Sequence, residues 1–314
     1  MHSRSSGSVS LPEASDPLAA VIQLLRPETV LSKVVSGGGR FCVRYAPHAH
    51  PSFGIVLDGA CFIDAEGIGT LELEAGDFIL LPATPGFTIG TDLTQKPRAV
   101  APTDDDVRYG KKRGALSLRM LGGYFWFDRA NAELVVRFLP PVVVIRRRER
   151  GAARLRRLVK LIADEAQERR PGRDLVLGRL VEVLLVEALR FRAASSAEHE
   201  RGFFAGLSDP ALAAAFRCMH HDAARAWTVA ELARAAGMSR AVFAERFARK
   251  VGLPPMQYLL EWRMALAKNL LGRERQPLAE VAEKIGYQSA SAFSTAFTRH
   301  VGCPPSEFAR SARS

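Results

Sequence analysis

Residues 239–255, SRAVFAERFARKVGLPP, return fifty positions later as residues 289–305, SASAFSTAFTRHVGCPP. Phe243, Phe247, Val251, Gly252, Pro254 and Pro255 recur as Phe293, Phe297, Val301, Gly302, Pro304 and Pro305. Upstream, Glu231-Leu232-Ala233 before Gly237 matches Glu280-Val281-Ala282 before Gly286. Ser239 and Ser289 then stand at the same N-cap position, after turns that differ by one residue. Serine favours that position because its hydroxyl accepts an otherwise unpartnered backbone N–H of the first turn. Each copy reads as helix, short turn containing Gly, helix, which is the outline of a helix-turn-helix.

The helical wheel assigns a role to each face. Phe243 and Phe247 form one side of the first copy's second helix; Ala241, Glu245 and Ala248 lie opposite, flanked by Ala244 and Arg249. In the second copy Phe293 and Phe297 point inward, and Ser291, Thr295 and Thr298 lie opposite, flanked by Ser294 and Arg299. Small side chains let a helix approach base edges in a major groove, and Ser or Thr can bond to bases or phosphates. Arg240, Arg246, Arg249, Lys250 and Arg299 suit phosphate contacts near the helix ends. Between the copies, Pro254 to Leu271 reads as one helix with Tyr258, Leu259, Trp262, Leu266 and Leu270 in an apolar stripe. Its span of roughly 27 Å would hold two reading helices near the ~34 Å separation of successive major-groove faces.

Outward from this region, charge is unevenly spread. The 314 residues carry a net charge of +11, with net −1 over residues 1–145 and net +6 over each of 146–201 and 202–314. A basic C-terminal half fits a phosphate-rich partner, because Lys and Arg gain affinity by releasing condensed counterions. No apolar run reaches the ~18 residues of a membrane span. The Ser-rich N-terminus lacks the apolar core of a secretory signal. Cys42, Cys61, Cys218 and Cys303 lie far apart with no CxxC, which argues against a zinc ribbon or disulfide scaffold and fits a reducing cytoplasm.

The expected organisation is α+β. Residues 1–17 read as a disordered tail. Residues 18–145 read as a β-barrel or sandwich: short apolar stretches such as Phe53–Leu57 and Phe78–Leu81 are punctuated by Asp58-Gly59, Gly67-Ile68-Gly69, Ala75-Gly76-Asp77 and Pro85-Gly86. Residues 146–195 read as an antiparallel helix pair broken at Pro171-Gly172, with one apolar face that packs on the barrel or on a second subunit. Residues 196–207 read as a linker. Residues 208–314 read as an all-α domain opening with Ser208 or Asp209 as N-cap before Pro210.

These residues resemble a known family. Trp227–Ala233, Gly237–Arg240, Phe243 and Phe247 are similar to the first half of the AraC/XylS-type DNA-binding domain. Tyr258-Leu259, Trp262-Arg263-Met264, Ala267 and Leu270-Leu271 resemble its linking helix. Gly286-Tyr287, Ser289, Ala292-Phe293, Ala296-Phe297, Arg299, Gly302, Pro304-Pro305 and Phe308 resemble its second half. The resemblance implies a sequence-specific transcriptional regulator, not an enzyme, with two helix-turn-helix units that insert into adjacent major-groove segments. The family's base-reading positions fall on Ala241, Ala244 and Glu245, and on Ser291, Ser294 and Thr295. Better-known members often place Arg or Gln there; Ala offers only apolar contact, and Glu245 can accept from cytosine N4 or repel phosphate. Val56–Gly59, Leu73–Asp77, Leu80–Pro82, Gly122–Asp128 and Leu139–Pro141 are similar to the cupin-like sensor domain on a branch of the same family. The implied partners are double-stranded promoter DNA, a small-molecule or oxidant effector, RNA polymerase if the outcome is activation, and a second copy of the chain. No cofactor is implied.

His48-x-His50 resembles the opening of the metal motif in enzymatic cupins. Those cupins also need a carboxylate a few residues later and a third histidine on a later strand. Phe53 and Gly54 stand where the carboxylate would be, and Phe87 where the last histidine would fall. Two ligands do not make a catalytic centre, so the readings for His48 and His50 are an effector pocket or simple loop histidines. Cys42 or Cys61 as a redox switch is the alternative, because some relatives with this sensor respond to oxidants; no nearby cationic cluster marks either as a thiolate. The Arg146-Arg147-Arg148 run fits either a DNA contact or the start of a surface helix, and His220-His221 fits helix-end packing.

Overall fold

The computed structural model describes residues 16–25, 28–48, 50–103, 105–126, 139–149, 151–168, 170–195, 201–272 and 275–311. The chain divides into two compact units: one from described residues between 28 and 195, the other from 16–25 and 201–311. Of the expected tail, residues 1–15 lie outside the described residues; Pro17 opens a helix.

The first unit is a curled sheet. Its strands are β1 (Glu28–Gly38), β2 (Cys42–Tyr45), β3 (Ser52–Ala65), β4 (Gly69–Glu74), β5 (Phe78–Leu81), β6 (Phe87–Gly90), β7 (Arg98–Val100), β8 (Val107–Gly110), β9 (Leu118–Trp126) and β10 (Val143–Ile145). The main path runs β7-β2-β6-β3-β9-β1-β8, with β4 and β5 also on β3, and β10 on β5. The 14-residue β3 joins the two halves: its start pairs with β5 and β9, its end with β4 and β6. Asp58-Gly59 is therefore not the turn that its composition suggests. It is a bulge inside β3, where the register against β9 shifts between Val56 and Asp58. Gly59 takes φ +77, and a Cβ there would overlap the Ser117 carbonyl oxygen, so only glycine fits the bend. The other three turn signals do separate strands.

Two helices, α2 (Ala153–Gln167) and α3 (Arg173–Ser195), complete this unit, and α1 (Pro17–Leu25) precedes β1 in the chain. Helix α3 packs on β1 and α2 on β3, burying Leu155, Val159 and Ile162 with Leu177, Val181, Leu184 and Leu189. Asp77 shows how the strand-to-helix connection is held. Buried in the β4–β5 turn, it accepts from the Arg147 N–H at 2.7 Å and from Arg146 Nη1 at 3.1 Å. Arg146 thus closes the barrel edge; α2 begins only at Ala153, so the arginine run lies in the turn after β10 and is not the helix start expected from the sequence.

The second unit contains α1, α4 (Phe203–Leu207), α5 (Pro210–His221), α6 (Val229–Ala235), α7 (Arg240–Val251), α8 (Pro255–Gly272), α9 (Leu278–Lys284), α10 (Ala290–Val301) and α11 (Pro305–Ser311). Helix α1 places buried Leu18, Val21 and Leu24 in this unit, in contact with α5 and α8. The expected linker is shorter than read: Phe203 and Phe204 are buried in α4 against α5 and α7, while residues 196–200 lie outside the described residues. Apolar aromatic side chains in a short Gly-bounded segment can bury area only by folding back, which composition alone did not show. Asp209, not Ser208, caps α5, accepting from the N–H groups of Ala211 and Leu212. Helix α8 is buried on more sides than the stripe suggests: Tyr258, Leu259, Trp262, Met264, Ala267, Leu270 and Leu271 are all in the core. It touches α7, α9, α10 and α11, so it serves as the common wall of both helix-turn-helix units. Among the described residues no helix is long and apolar enough to cross a membrane.

Candidate nucleic-acid interface

The two copies fold alike in detail. Ser239 Oγ accepts from the Val242 N–H and Ser289 Oγ from the Ala292 N–H, at 3.4 and 3.1 Å. Gly252 and Gly302 end α7 and α10 in the left-handed conformation, with φ of +85 and +90. Phe243, Phe247, Phe293 and Phe297 have no exposed surface. Burial class agrees position by position between residues 241–250 and 291–300.

The repeated pattern defines what each helix presents. Ala241, Glu245 and Arg249 are exposed on α7, as are Ser291, Thr295 and Arg299 on α10; Ala244, Ser294 and Thr298 are half-buried beside them. Arg240 is exposed at the start of α7. Glu245 pairs with Arg249 at 3.2 Å one turn away, so its charge is partly met within the helix. Thr295 and Thr298 hydroxyls donate back to the Ser291 and Ser294 carbonyls. Both keep acceptor capacity for a ligand.

Arg246 departs from the expectation. Its guanidinium binds Asp209 Oδ2 through Nε at 2.7 Å and Nη2 at 2.6 Å, and so braces the start of α5 instead of standing free for phosphate. The partners lie 37 residues apart, out of reach of any local reading. Two further exposed positions were missed. Val242 is 53% exposed on α7, and Ala292 occupies the same place on α10; an apolar side chain at a surface position of a helix whose exposed face is otherwise small or polar was the available signal. The Thr228-x-x-Glu231 spacing was also legible as a capping box, and both of its hydrogen bonds are present at the start of α6. The N–H and hydroxyl of Thr228, with Arg225, hold the Glu231 carboxyl down at about 2.

A family model described as a helix-turn-helix domain matches residues 232–311, and one described as cupin matches residues 16–194. Over 301 residues the chain is 34% identical to a Streptomyces lividans protein named as an AraC-like transcription regulator, covering 93% of this chain and 97% of that one. A Streptomyces antibioticus protein of the same name is 33% identical over 301 residues, covering 93% and 98%. The chain belongs to the AraC family of transcription regulators. Among solved structures, the DNA-binding domain of AdpA in complex with a target DNA is 31% identical, with a TM-score of 0.32, covering 34% of this chain and 95% of that one.

The cupin unit of this AraC-type regulator holds a partly open cavity of about 80 Å³. Its walls are mainly apolar, including Val35, Phe53, Ile79, Leu81, Phe87 and Met120, with the backbones of Gly54, Gly122 and Gly123 leaving space. Polar lining comes from Lys33, Tyr45, His48, Ser52 and Tyr124. His48 Nδ1 accepts from the His50 N–H at 3.3 Å, so Nε2 carries the proton toward Ser52 Oγ at 3.1 Å. Burial, reinforced by His50, lowers the His48 pKa and keeps the ring neutral. His50 is not among the lining residues; its ring stacks on Tyr124 at 5.3 Å. Phe53, Gly54 and Phe87 occupy the wall where a metal-binding cupin would carry its further ligands. Among the described residues no three His, Cys, Asp or Glu side chains gather into a metal set.

Cys42 and Cys61 are placed against pairing with each other. Cys42 faces Gly90 across β2–β6, and Phe62 faces the same Gly90 across β6–β3. Cys61, next to Phe62, is therefore two strand spacings from Cys42, roughly 10 Å, beyond the ~7 Å Cα limit of a disulfide. Burial pushes the Cys61 thiol up to about 12 and, with Asp92, raises that of Cys42. Both are poor thiolates.

Proposed function

We propose that this AraC-family chain is a sequence-specific regulator of promoters in the cytoplasm, reading DNA with α7 and α10 under control of a signal sensed in the cupin unit. The carrying observation is the duplicated surface: two capped helices, each anchored by two buried phenylalanines, with the same exposure pattern along their length. Ala241, Ala244 and Glu245 would face bases in one groove segment and Ser291, Ser294 and Thr295 in the next. Arg240, Arg249, Arg299, Ser289 and Thr298 would meet the backbone. Val242 and Ala292 add apolar surface suited to thymine methyl groups.

The cavity supports the sensing half of this reading. Apolar walls with a neutral His48 and a serine hydroxyl suit a compact, largely apolar effector with one hydrogen-bonding group. A second copy of the chain would dock on α3, where Val176 and Val183 remain 41% and 48% exposed and share a face with half-buried Leu180. RNA polymerase is a partner if the outcome is activation.

Competition binding of the full-length chain at fixed salt tests the reading. A duplex enriched by the chain from a random-sequence pool should bind at least about 10³-fold more tightly than bulk random duplex. Equal affinity for both would replace it with non-specific nucleoid binding.

A further inference from the structure

Helix α8 sends one side chain into the loop that leads to the first helix-turn-helix. Arg263 Nε donates to the Ala223 carbonyl at 2.7 Å and Nη2 to the Arg225 carbonyl at 2.8 Å, with the Ala224 carbonyl at 3.5 Å. Three consecutive carbonyls thus converge on one planar fork. A guanidinium presents donors in fixed directions, and a lysine ammonium cannot span the same set.

The same loop meets the second unit. Gly286, in the α9–α10 turn, takes φ +82, and a Cβ there would overlap the carbonyl oxygen of Ala224. Its counterpart in the first copy, Gly237, also takes a positive φ of +66 but faces open space. The turn's conformation demands glycine in both copies, but only the second is covered by backbone. That contact therefore belongs to the junction between units and not to the motif. Tyr287, beside Gly286, is near enough to Arg263 for each to influence the other's ionisation, and Tyr287 packs on Phe293 at the base of α10. The chain of contact runs from the loop before α6, through Arg263 of α8, to the turn that launches α10.

We propose that Arg263 and Gly286 fix the pose of one reading helix relative to the other, and so the spacing between DNA half-sites that the chain accepts. Arg263 is a positioning residue and touches no base. The proposal rests on the reading of α7 and α10 as DNA-reading helices.

The test uses the full-length chain and a duplex that it enriches from a random-sequence pool. Variants of that duplex carry one to three base pairs inserted or removed between the halves, or one half scrambled. Wild type should lose about tenfold or more in affinity on a one-pair insertion, a loss of the size of a mismatched base pair. Arg263→Gln and Arg263→Lys should bind the original duplex about tenfold less tightly, with half-scrambled duplexes bound as wild type binds them and the spacing penalty flattened. Failure of Lys to rescue separates clamping from phosphate contact, which an ammonium would satisfy. If the Arg263 variants do not fold by thermal melting, Gly286→Ala carries the same expectation. The proposal falls if the folded variants keep the wild-type spacing penalty, or lose whole and half-scrambled duplexes in equal proportion. If wild type enriches no sequence, the regulator reading beneath it falls first, and the spacing assay is never reached.

Discussion

Arg246 and Asp209 join α7 to the start of α5: two guanidinium nitrogens converge on Oδ2, while Oδ1 accepts the Ala211 and Leu212 N–H groups. One carboxylate thereby caps a helix and anchors another. Asp209→Ala should cost about 2 kcal/mol, from a lost cap and a lost charged hydrogen bond, read as a lower urea midpoint. Arg246→Ala should lower stability while leaving the salt dependence of DNA binding unchanged. Arg299→Ala should do the opposite, reducing the slope of log affinity against log salt by about 1.

Phe293 and Phe297 lie in the second core with Val281, Ile285, Leu270 and Leu271. Phe293→Ala should destabilise by about 3–5 kcal/mol and abolish protection of one half-site in a footprint. Thr295→Ala keeps the core intact and should relax preference at one base pair by about 1–3 kcal/mol, measured on single-substitution duplexes.

His220 lies flat on Trp262 with ring centroids 3.9 Å apart, and its Nε2 is 2.8 Å from the Tyr258 hydroxyl. Burial in this aromatic nest pushes its pKa down to about 3 from 6.5. The unfolded chain takes up a proton below pH 6.5 that the folded chain refuses until about pH 3. The stabilisation is thus complete above pH 6.5 and is lost as pH falls toward 3. Between pH 7 and pH 5 the effect should reach about 2 kcal/mol. His220→Gln should start less stable at pH 7 but show a flatter melting-temperature profile over that interval.

Exposure of the full-length chain to peroxide or hypochlorite should yield no peptide cross-linking Cys42 to Cys61 by mass spectrometry. Native thiol labelling of both should be slow until denaturant is added. A rapid cross-link with loss of DNA binding would restore the oxidant-sensing alternative.

Val176→Glu with Val183→Glu should shift a dimer to monomer in sedimentation while leaving the melting temperature within a few degrees, because both side chains are already in contact with water. An unchanged sedimentation coefficient would mean that α3 is not where copies meet.

The helical half of the fold was largely legible because its determinants are local. A serine, a glycine and two phenylalanines at i and i+4 specify cap, stop and buried face within fifteen residues, and each appears twice. What stayed hidden depends on distant partners. Asp209 reaches Arg246, Arg263 reaches Ala223, and Phe203 finds its pocket on α5 only after the chain has closed. In the barrel, three turns out of four were readable from Gly and Asp. Asp58-Gly59 misled because a bulge uses the same chemistry as a turn, and only the pairing of β3 with β9 tells them apart. His48 and His50 looked equivalent in sequence, yet only His48 reaches the cavity lining, although both rings lie against Tyr124, His48 edge-on and His50 stacked.

The repeated helices α7 and α10 run in tandem along one chain and offer different chemistry, alanines and a glutamate from one, hydroxyls from the other. A protein gripping DNA this way has a front and a back. Flipping its target end for end turns the bound copy with it, so an inverted operator should be held as tightly as the original but with the protein facing the other way. Each bound copy then points along the double helix, and whatever it does to a neighbouring gene it does in one direction.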